Sequence, residues 1–557
     1  MTPGPFHSIS FSFRPRLLAS LHGYTREDFR ADLFAGITVA MVALPLAMAF
    51  GIGSGVSPLQ GLVTAVVGGL IVSLLGGSKV QIAGPAGAFV ALLYTIAEKY
   101  GVANLLLSTM MAGVLLFAMG ALHLGSLVRL IPVPIVIGFT SGIAVIIAIS
   151  QFRDFLGIAV AKMPSNFFSQ MKVIADHIET TNLYAVLTGL VSLLIIVAWP
   201  VAREGADSRL RQLTAKLPAT IVVLFASSLV VHFAQLPIET IGTRFGELPR
   251  GMPMPHFPDF EWASAQNLFG ATISIALLGA IESLLCARVA DDLIHERHDP
   301  NQELMAQGIA NFVAPLFGGI GVTGTIARTI TNVKSGARSP VAGIVHALAL
   351  LVVIVAAAPV AEHIPLAAMA AILLWVAFNM GNWREFPKLK RFSLFYRVTM
   401  LSTFALTVIL DVTVAVQVGL ILASLFFIFR MSQLTTVEPI ILPAQRALLA
   451  DGRRVAAWRV FGTLFFGSVT KIENLLDSKV KPPDVVVLDL HQVISMDNSG
   501  LDALEHLHEH LARHDSRMVL VAPNDQPMSL LRRSGFLARG ERIAVFLTME
   551  EALGSFG

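Results

Sequence analysis

Apolar stretches of roughly 18 to 22 residues, about what a ~30 Å hydrocarbon core requires, recur along the chain as far as Phe429, separated by short polar or glycine- and proline-rich joints. The clearest run from Asp32 to Phe50, Leu59 to Leu75, Leu105 to Leu122, Ile135 to Ile149, Tyr184 to Trp199, Ala219 to Phe233, Leu268 to Ala287, Pro340 to Ala358 and Val412 to Phe429. Shorter or interrupted ones run from Ala86 to Ala97, Leu304 to Leu316, Thr325 to Val333, Ile364 to Phe378 and Thr399 to Leu410. Together they predict about fourteen membrane spans. From Val437 onward charges become frequent, and the pattern turns to strands over Val455–Phe466, Val485–Leu490 and Met518–Ala522 alternating with helices over Thr470–Leu476, Gly500–Ala512 and Met528–Arg533. The expected organisation is an N-terminal arm over residues 1–30, a transmembrane domain over 31–433 and a soluble α/β domain over 434–557.

Two short breaks interrupt the apolar pattern at matching places, Gln81-Ile82-Ala83-Gly84-Pro85-Ala86-Gly87 and Gly321-Val322-Thr323-Gly324-Thr325-Ile326-Ala327-Arg328. Unwound backbone at membrane depth is tolerated where it is buried in protein or lines a cavity. Paired breaks in the two halves of a chain therefore point to a substrate site near the midplane. From Pro85 to Thr325 is 240 positions, and from Ile131-Pro132 to Ile364-Pro365 is 233, a nearly constant offset of the kind internal duplication leaves.

The chemistry of the breaks suits an anion. Pro85 is expected in a first helical turn, where its missing N–H is no loss, while Gly84 and Gly87 admit a ligand to the backbone. Unpaired N–H groups and the helix dipole make such an end attractive to negative charge, and two facing ends reinforce one another. Thr323 and Thr325 are expected to cap the second helix and offer hydroxyls. Gln81, Ala86, Ala88, Phe89, Gly324 and Ala327 complete the candidate site, with Met41, Met48 and Phe89 as apolar walls. Arg328 either adds a fixed positive charge beside the anion or snorkels toward the loop holding Lys334 and Arg338. Glu282, inside an apolar span, either pairs with Arg328 or binds a coupling proton.

Composition agrees with a membrane protein: 55% of residues are apolar, 14% are charged, and the mean hydropathy is +0.71, beyond the range of a soluble domain. The net charge of +3 follows from topology rather than from nucleic-acid binding. Arg14, Arg16, Arg26 and Arg30 precede the first span; Arg203, Arg209, Arg211 and Lys216 fill one loop, and Arg384, Lys388, Lys390, Arg391 and Arg397 another. By the positive-inside rule these face the cytoplasm, and an even span count returns the C-terminus there. The segment Gln235–Gln266, with Glu239, Glu247, Asp259 and Glu261 against Arg244 and Arg250, is expected outside. The single cysteine, Cys286, allows no intrachain disulfide and no thiolate metal site, and no phosphate-binding loop or nucleophile elbow appears. No cofactor, metal or enzymatic activity is expected, and ATP energy is not supplied by this chain.

The strand Val485–Leu490 leads through His491-Gln492-Val493-Ile494-Ser495-Met496 to Asp497-Asn498-Ser499-Gly500, a D-x-S-G turn at a helix start. This resembles the STAS domain of bacterial anti-sigma-factor antagonists. The resemblance puts Ser499 at their phosphorylated position; the alternative is that Asp497 or Ser499 caps the helix. The lead-in Ala31-Asp32-Leu33-Phe34-Ala35-Gly36, the Ala43-Leu44-Pro45 break, Gln81–Phe89, the Glu282-containing span, Asp299-Pro300-Asn301-Gln302-Glu303-Leu304 and Gln307-Gly308-Ile309-Ala310-Asn311 together resemble the SulP family of anion transporters. That resemblance implies two inverted repeats of seven spans, a core moving against a gate, an anion between the ends of the third and tenth helices, a homodimer, and a bacterial inner membrane. Many members carry glutamine or glutamate after the proline of the first span; Leu46 stands here, which leaves proton symport, sodium symport and exchange open. The apolar walls suit a dicarboxylate such as fumarate as well as sulfate or bicarbonate. A channel of the same fold, and a membrane-tethered regulator with STAS as output to a cytoplasmic protein partner, are the other readings.

Overall fold

The computed structural model describes residues 13–126, 132–160, 163–164, 166–199, 219–247, 251–258, 267–410, 412–443, 447–448, 452–473, 475, 482–538 and 543–555. The loop holding Arg203, Arg209, Arg211 and Lys216 lies outside them, as do Arg250, Asp259 and Glu261. Each predicted span coincides with a helix: α1 Arg26–Gly53, α2 Pro58–Leu75, α3 Gly87–Tyr100, α4 Val102–Ala121, α5 Val133–Leu156, α6 Leu183–Ala198, α7 Ala219–Ala234, α8 Phe269–Ile294, α9 Pro300–Val313, α10 Ile326–Lys334, α11 Val341–Ala361, α12 Leu366–Met380, α13 Leu394–Ile409 and α14 Val412–Leu434. Among the described residues seven are long and apolar enough to cross a membrane by themselves. The others include α3 and α10, the half-helices that follow the two breaks.

The packing carries the repeat. Moving seven helices along the chain turns the contact of α1 with α11 into that of α8 with α4, the contact of α4 with α9 into that of α11 with α2, and the contact of α5 with α13 into that of α12 with α6; all six pairs are seen. The halves are thus interlocked, which is how an inverted duplication buries both copies of its faces. Small residues let the backbones approach: a Cβ on Gly113 of α4 would lie 2.6 Å from Gly308 O of α9, and one on Gly308 would lie 2.5 Å from Phe117 N. Lipid gives helices no hydrophobic reason to associate, so close van der Waals contact takes that role.

The expected N-terminal arm is fastened to the membrane unit. A short helix, Arg16–Ser20, precedes α1; Arg14 N donates to Gln302 Oε1 (2.8 Å), and Arg16 and Lys79 both reach Glu296, each at 2.6 Å. Asp32, fully buried in α1, accepts from Tyr24 Oη (2.7 Å), Arg338 N (2.6 Å) and Ser339 N (3.1 Å), tying α1 to the start of α11.

The chain divides into two compact units, Met1–Leu420 and Ile421–Gly557, with the boundary inside α14. In the second unit a five-stranded sheet runs in the order β3 Thr436–Ile440, β4 Val455–Leu464, β5 Val485–Met496, β6 Arg517–Val521, β7 Ile543–Phe546, with β3 antiparallel and the rest parallel. Helices α15 Val469–Glu473, α16 Asn498–Arg513, α17 Asp525–Arg533 and α18 Met549–Gly554 complete it. β3, with Pro439 inside it, is not among the strands the pattern predicts; as an edge strand it tolerates the proline. The stretch expected as loop, His491–Leu501, is strand as far as Met496, where β5 continues against Phe461–Leu464 with register shifts between Arg459 and Phe461 and between Gly462 and Thr463, and helix from Asn498.

Candidate functional site

The two breaks meet. Ala83–Gly84 (β1) and Thr323–Gly324 (β2) form an antiparallel pair in the register Ala83 to Gly324 and Gly84 to Thr323. A shift of 240 positions carries Ala83 to Thr323 and Gly84 to Gly324, so it converts one rung of this ladder into the other. Proline breaks the symmetry one residue later. Thr325 N donates to Ile82 O (2.9 Å), but Pro85 has no N–H for the mirror bond to Val322 O, and Asn311 Nδ2 supplies it instead (2.8 Å).

Buried side chains hold the unwound backbone on both sides. Before β1, Glu303 accepts from Gly77 N (3.0 Å) and Ser78 N (3.2 Å), Asn332 Nδ2 donates to Val80 O (2.9 Å), and Thr329 Oγ1 accepts from Ile82 N (3.0 Å). Before β2, Thr64 Oγ1 accepts from Ile320 N (2.7 Å) and Asn311 Oδ1 from Val322 N (2.8 Å), and within it Ser283 Oγ accepts from Gly324 N (3.1 Å). Every unwound amide so served is one that lipid leaves unsatisfied. These bracket residues were missed in the sequence; the available signal was a polar side chain inside an apolar helix.

Each strand opens directly into a half-helix. α3 begins at Gly87 after Ala86, and α10 at Ile326 after Thr325; neither N-cap side chain bonds its helix. Pro85 therefore stands ahead of α3 rather than in its first turn. Thr325 does not cap α10: its Oγ1 donates to Ile82 O (2.9 Å), while Thr323 Oγ1 meets Ser283 Oγ at 2.8 Å. The amides of Gly87, Ala88, Ile326 and Ala327 precede the first intrahelical bonds and have no hydrogen-bond partner among the described residues, a ready anion-binding arrangement.

Arg328 spans the two ends. It is 1% exposed, so it does not snorkel; Nη2 donates to Pro85 O (3.2 Å) and Cζ lies 5.9 Å from the Phe50 ring centre. Nε and Nη1 have no partner among the described residues. Gly84, at φ +154°, leaves space for the guanidinium, because a Cβ there would lie 2.7 Å from Nη1. Glu282 is buried on α8, and among the described residues neither it nor Arg328 takes part in an ion pair, so the expected Glu282–Arg328 pair is not formed. Gln81 is buried and packed over Gly324, and neither of its amide atoms has a partner among the described residues. Phe89 seats its ring against Gly279 and Gly321, and Cys286 Sγ contacts Thr329 Oγ1 at 3.2 Å.

A duplicated membrane unit crossed by two paired half-helices, followed by this sheet, is matched over nearly the whole chain. Residues 29–403 match the sulfate permease family and residues 452–552 the STAS domain. The chain belongs to the sulfate permease family. It is 41% identical over 527 residues to YvdB of Bacillus subtilis, covering 93% of this chain and 96% of that protein, and 29% identical over 547 residues to the bicarbonate transporter BicA of a Picosynechococcus species, covering 95% and 94%. The murine anion transporter Slc26a9, solved in an inward-facing state, superposes with a TM-score of 0.84 at 18% identity over 97% of this chain and 93% of its own, a likeness of fold. This sulfate permease family member is thus a multi-pass membrane protein and an anion transporter with a STAS domain.

In the STAS unit Asp497, not Ser499, caps α16: its Oδ1 accepts from Gly500 N at 2.9 Å. Ser499 is half-buried in the first turn.

Proposed function

We propose that this protein is a secondary active transporter that holds a small anion, a dicarboxylate such as fumarate, sulfate or bicarbonate, between the amino ends of α3 and α10 and moves it by alternating access. The observation that carries the reading is the pair of uncapped half-helices brought together by β1 and β2, with the unpartnered N–H groups of Arg328 between them. Gln81, Gly84 to Phe89, Thr323 to Thr325, Ala327 and Arg328 form the proposed site. Glu282, buried and unpaired, is the carboxylate that a coupling cation, proton or sodium, would meet. The proposed setting is the bacterial inner membrane with both termini cytoplasmic, as a homodimer, with the STAS unit and Ser499 open to a cytoplasmic protein partner. The test is uptake of labelled sulfate, bicarbonate, chloride, fumarate and succinate into proteoliposomes, with and without an imposed pH gradient. Gradient-driven accumulation of one of them is expected; current without accumulation would make the protein a channel.

A further inference from the structure

His346 stands in α11, fully buried, and neither Nδ1 nor Nε2 has a partner among the described residues. A neutral imidazole needs one donor and one acceptor bond. An apolar side chain would fill the same volume without that cost.

Its position is specific. A Cβ on Gly69 of α2 would lie 3.8 Å from the His346 ring and 3.1 Å from Ala83 O, so the histidine faces β1 across a glycine. One residue along β1, Arg328 Nη1 fills the space that a side chain on Gly84 would take. Two buried nitrogen groups therefore stand near β1, each with hydrogen-bonding capacity unused among the described residues. Gly69 follows a π-helical turn, Thr64–Gly68, a feature frequent at functional sites. The elements packed on α11 bring no other titratable group to this depth. α2 contains none; α1 has none beyond Asp32, which meets α11 at Ser339, seven residues or about 10 Å before His346. The charged side chain beside this strand is Arg328, whose Nη1 reaches the space next to Gly84.

We propose that His346 binds a proton that travels with the anion. With the site empty, the guanidinium opposes a second positive charge behind β1. An anion at the ends of α3 and α10 cancels that field, and a proton from water on the open side adds to the free ring nitrogen. Only an N–H bond forms, and it breaks on the other side after the anion leaves. Linkage is reciprocal, so protonated His346 strengthens anion binding by the same factor as the anion favours the proton. This rests on the transport reading above and is separate from the cation proposed at Glu282.

The experiment titrates sulfate and fumarate into the purified full-length protein near pH 6.5 in buffers of different ionisation enthalpy, which counts protons taken up per anion. Wild type is expected to take up more protons per anion than His346→Gln and His346→Asn, which are expected to bind the anion at pH 8 within about threefold of wild type, less than site-to-site coupling typically produces. In proteoliposomes His346→Gln is expected to lose pH-driven accumulation about tenfold and to retain anion exchange. Unchanged proton uptake in His346→Gln overturns the role of His346. A wild type that transports without proton uptake also overturns it and leaves the transport reading standing, whereas a wild type that neither binds nor moves any of the five anions overturns both.

Discussion

A guanidinium buried to 1% exposure with two of its nitrogens unpartnered is a poor structural element and a good anion ligand. Charged hydrogen bonds contribute about 1.5 to 3 kcal/mol, so Arg328→Ala should weaken anion binding roughly ten- to a hundredfold while the protein still inserts and purifies as a single species. Calorimetry on the variant decides this, and unchanged affinity would remove Arg328 from the site. Glu282 makes the complementary case, a carboxylate without a cation. Glu282→Gln should abolish accumulation driven by the coupling gradient and leave tracer exchange intact; a variant that still concentrates substrate at the wild-type level would exclude Glu282 as the cation site. Leu46, which follows Pro45 inside the continuous helix α1, offers neither group a polar contact.

Elements matter here through what fastens them. The segment ahead of β1 is held by α9 and α10, and that around β2 by α2, α8 and α9, so the first break depends on helices of the other repeat and the second on helices of both. The N-terminal helix Arg16–Ser20 is fastened more weakly, through the shared carboxylate of Glu296. The Lys79 hydrogen bond holds this carboxyl below its ordinary value; burial opposes it, and the Arg16 hydrogen bond adds a smaller pull in the same direction as Lys79. A lowered value means that the contribution is present above the usual carboxylate range and is lost as pH falls through the folded value. A nitroxide on Ser20→Cys should therefore be immobile at neutral pH and gain mobility as pH falls below the usual carboxylate range. In a Glu296→Gln background it should be mobile throughout, and an immobile label there would show that the backbone bonds of Arg14 to Gln302 and of Arg16 to Gly76 suffice to hold the helix. Exposed ion pairs are individually weak, so the midpoint of unfolding should move little.

At the scale of the molecule, the pocket residues all lie in the first unit and the STAS sheet in the second. Deleting Val437 to Gly557 should preserve equilibrium anion binding and lower transport rate, expression or targeting, because coupling between sites requires differential contacts and not mere connection. Loss of binding in a truncated protein that remains monodisperse and thermally stable would make the pocket dependent on STAS. The sequence alone determined fourteen apolar segments, the two breaks and the 240-residue offset, because span length and helix-breaking residues are local properties that the bilayer reads directly. The D-x-S-G turn was equally legible, since a capping aspartate acts within its own helix turn. Only the tertiary structure decided that β1 and β2 pair, that Thr325 spends its hydroxyl on Ile82 rather than on its own helix, that Glu282 and Arg328 stay apart, and that Asn311, Thr329 and His346 stand beside the breaks. Those are contacts between residues far apart in the chain, set by how two interlocked repeats bury their polar groups, and no spacing along one helix encodes them.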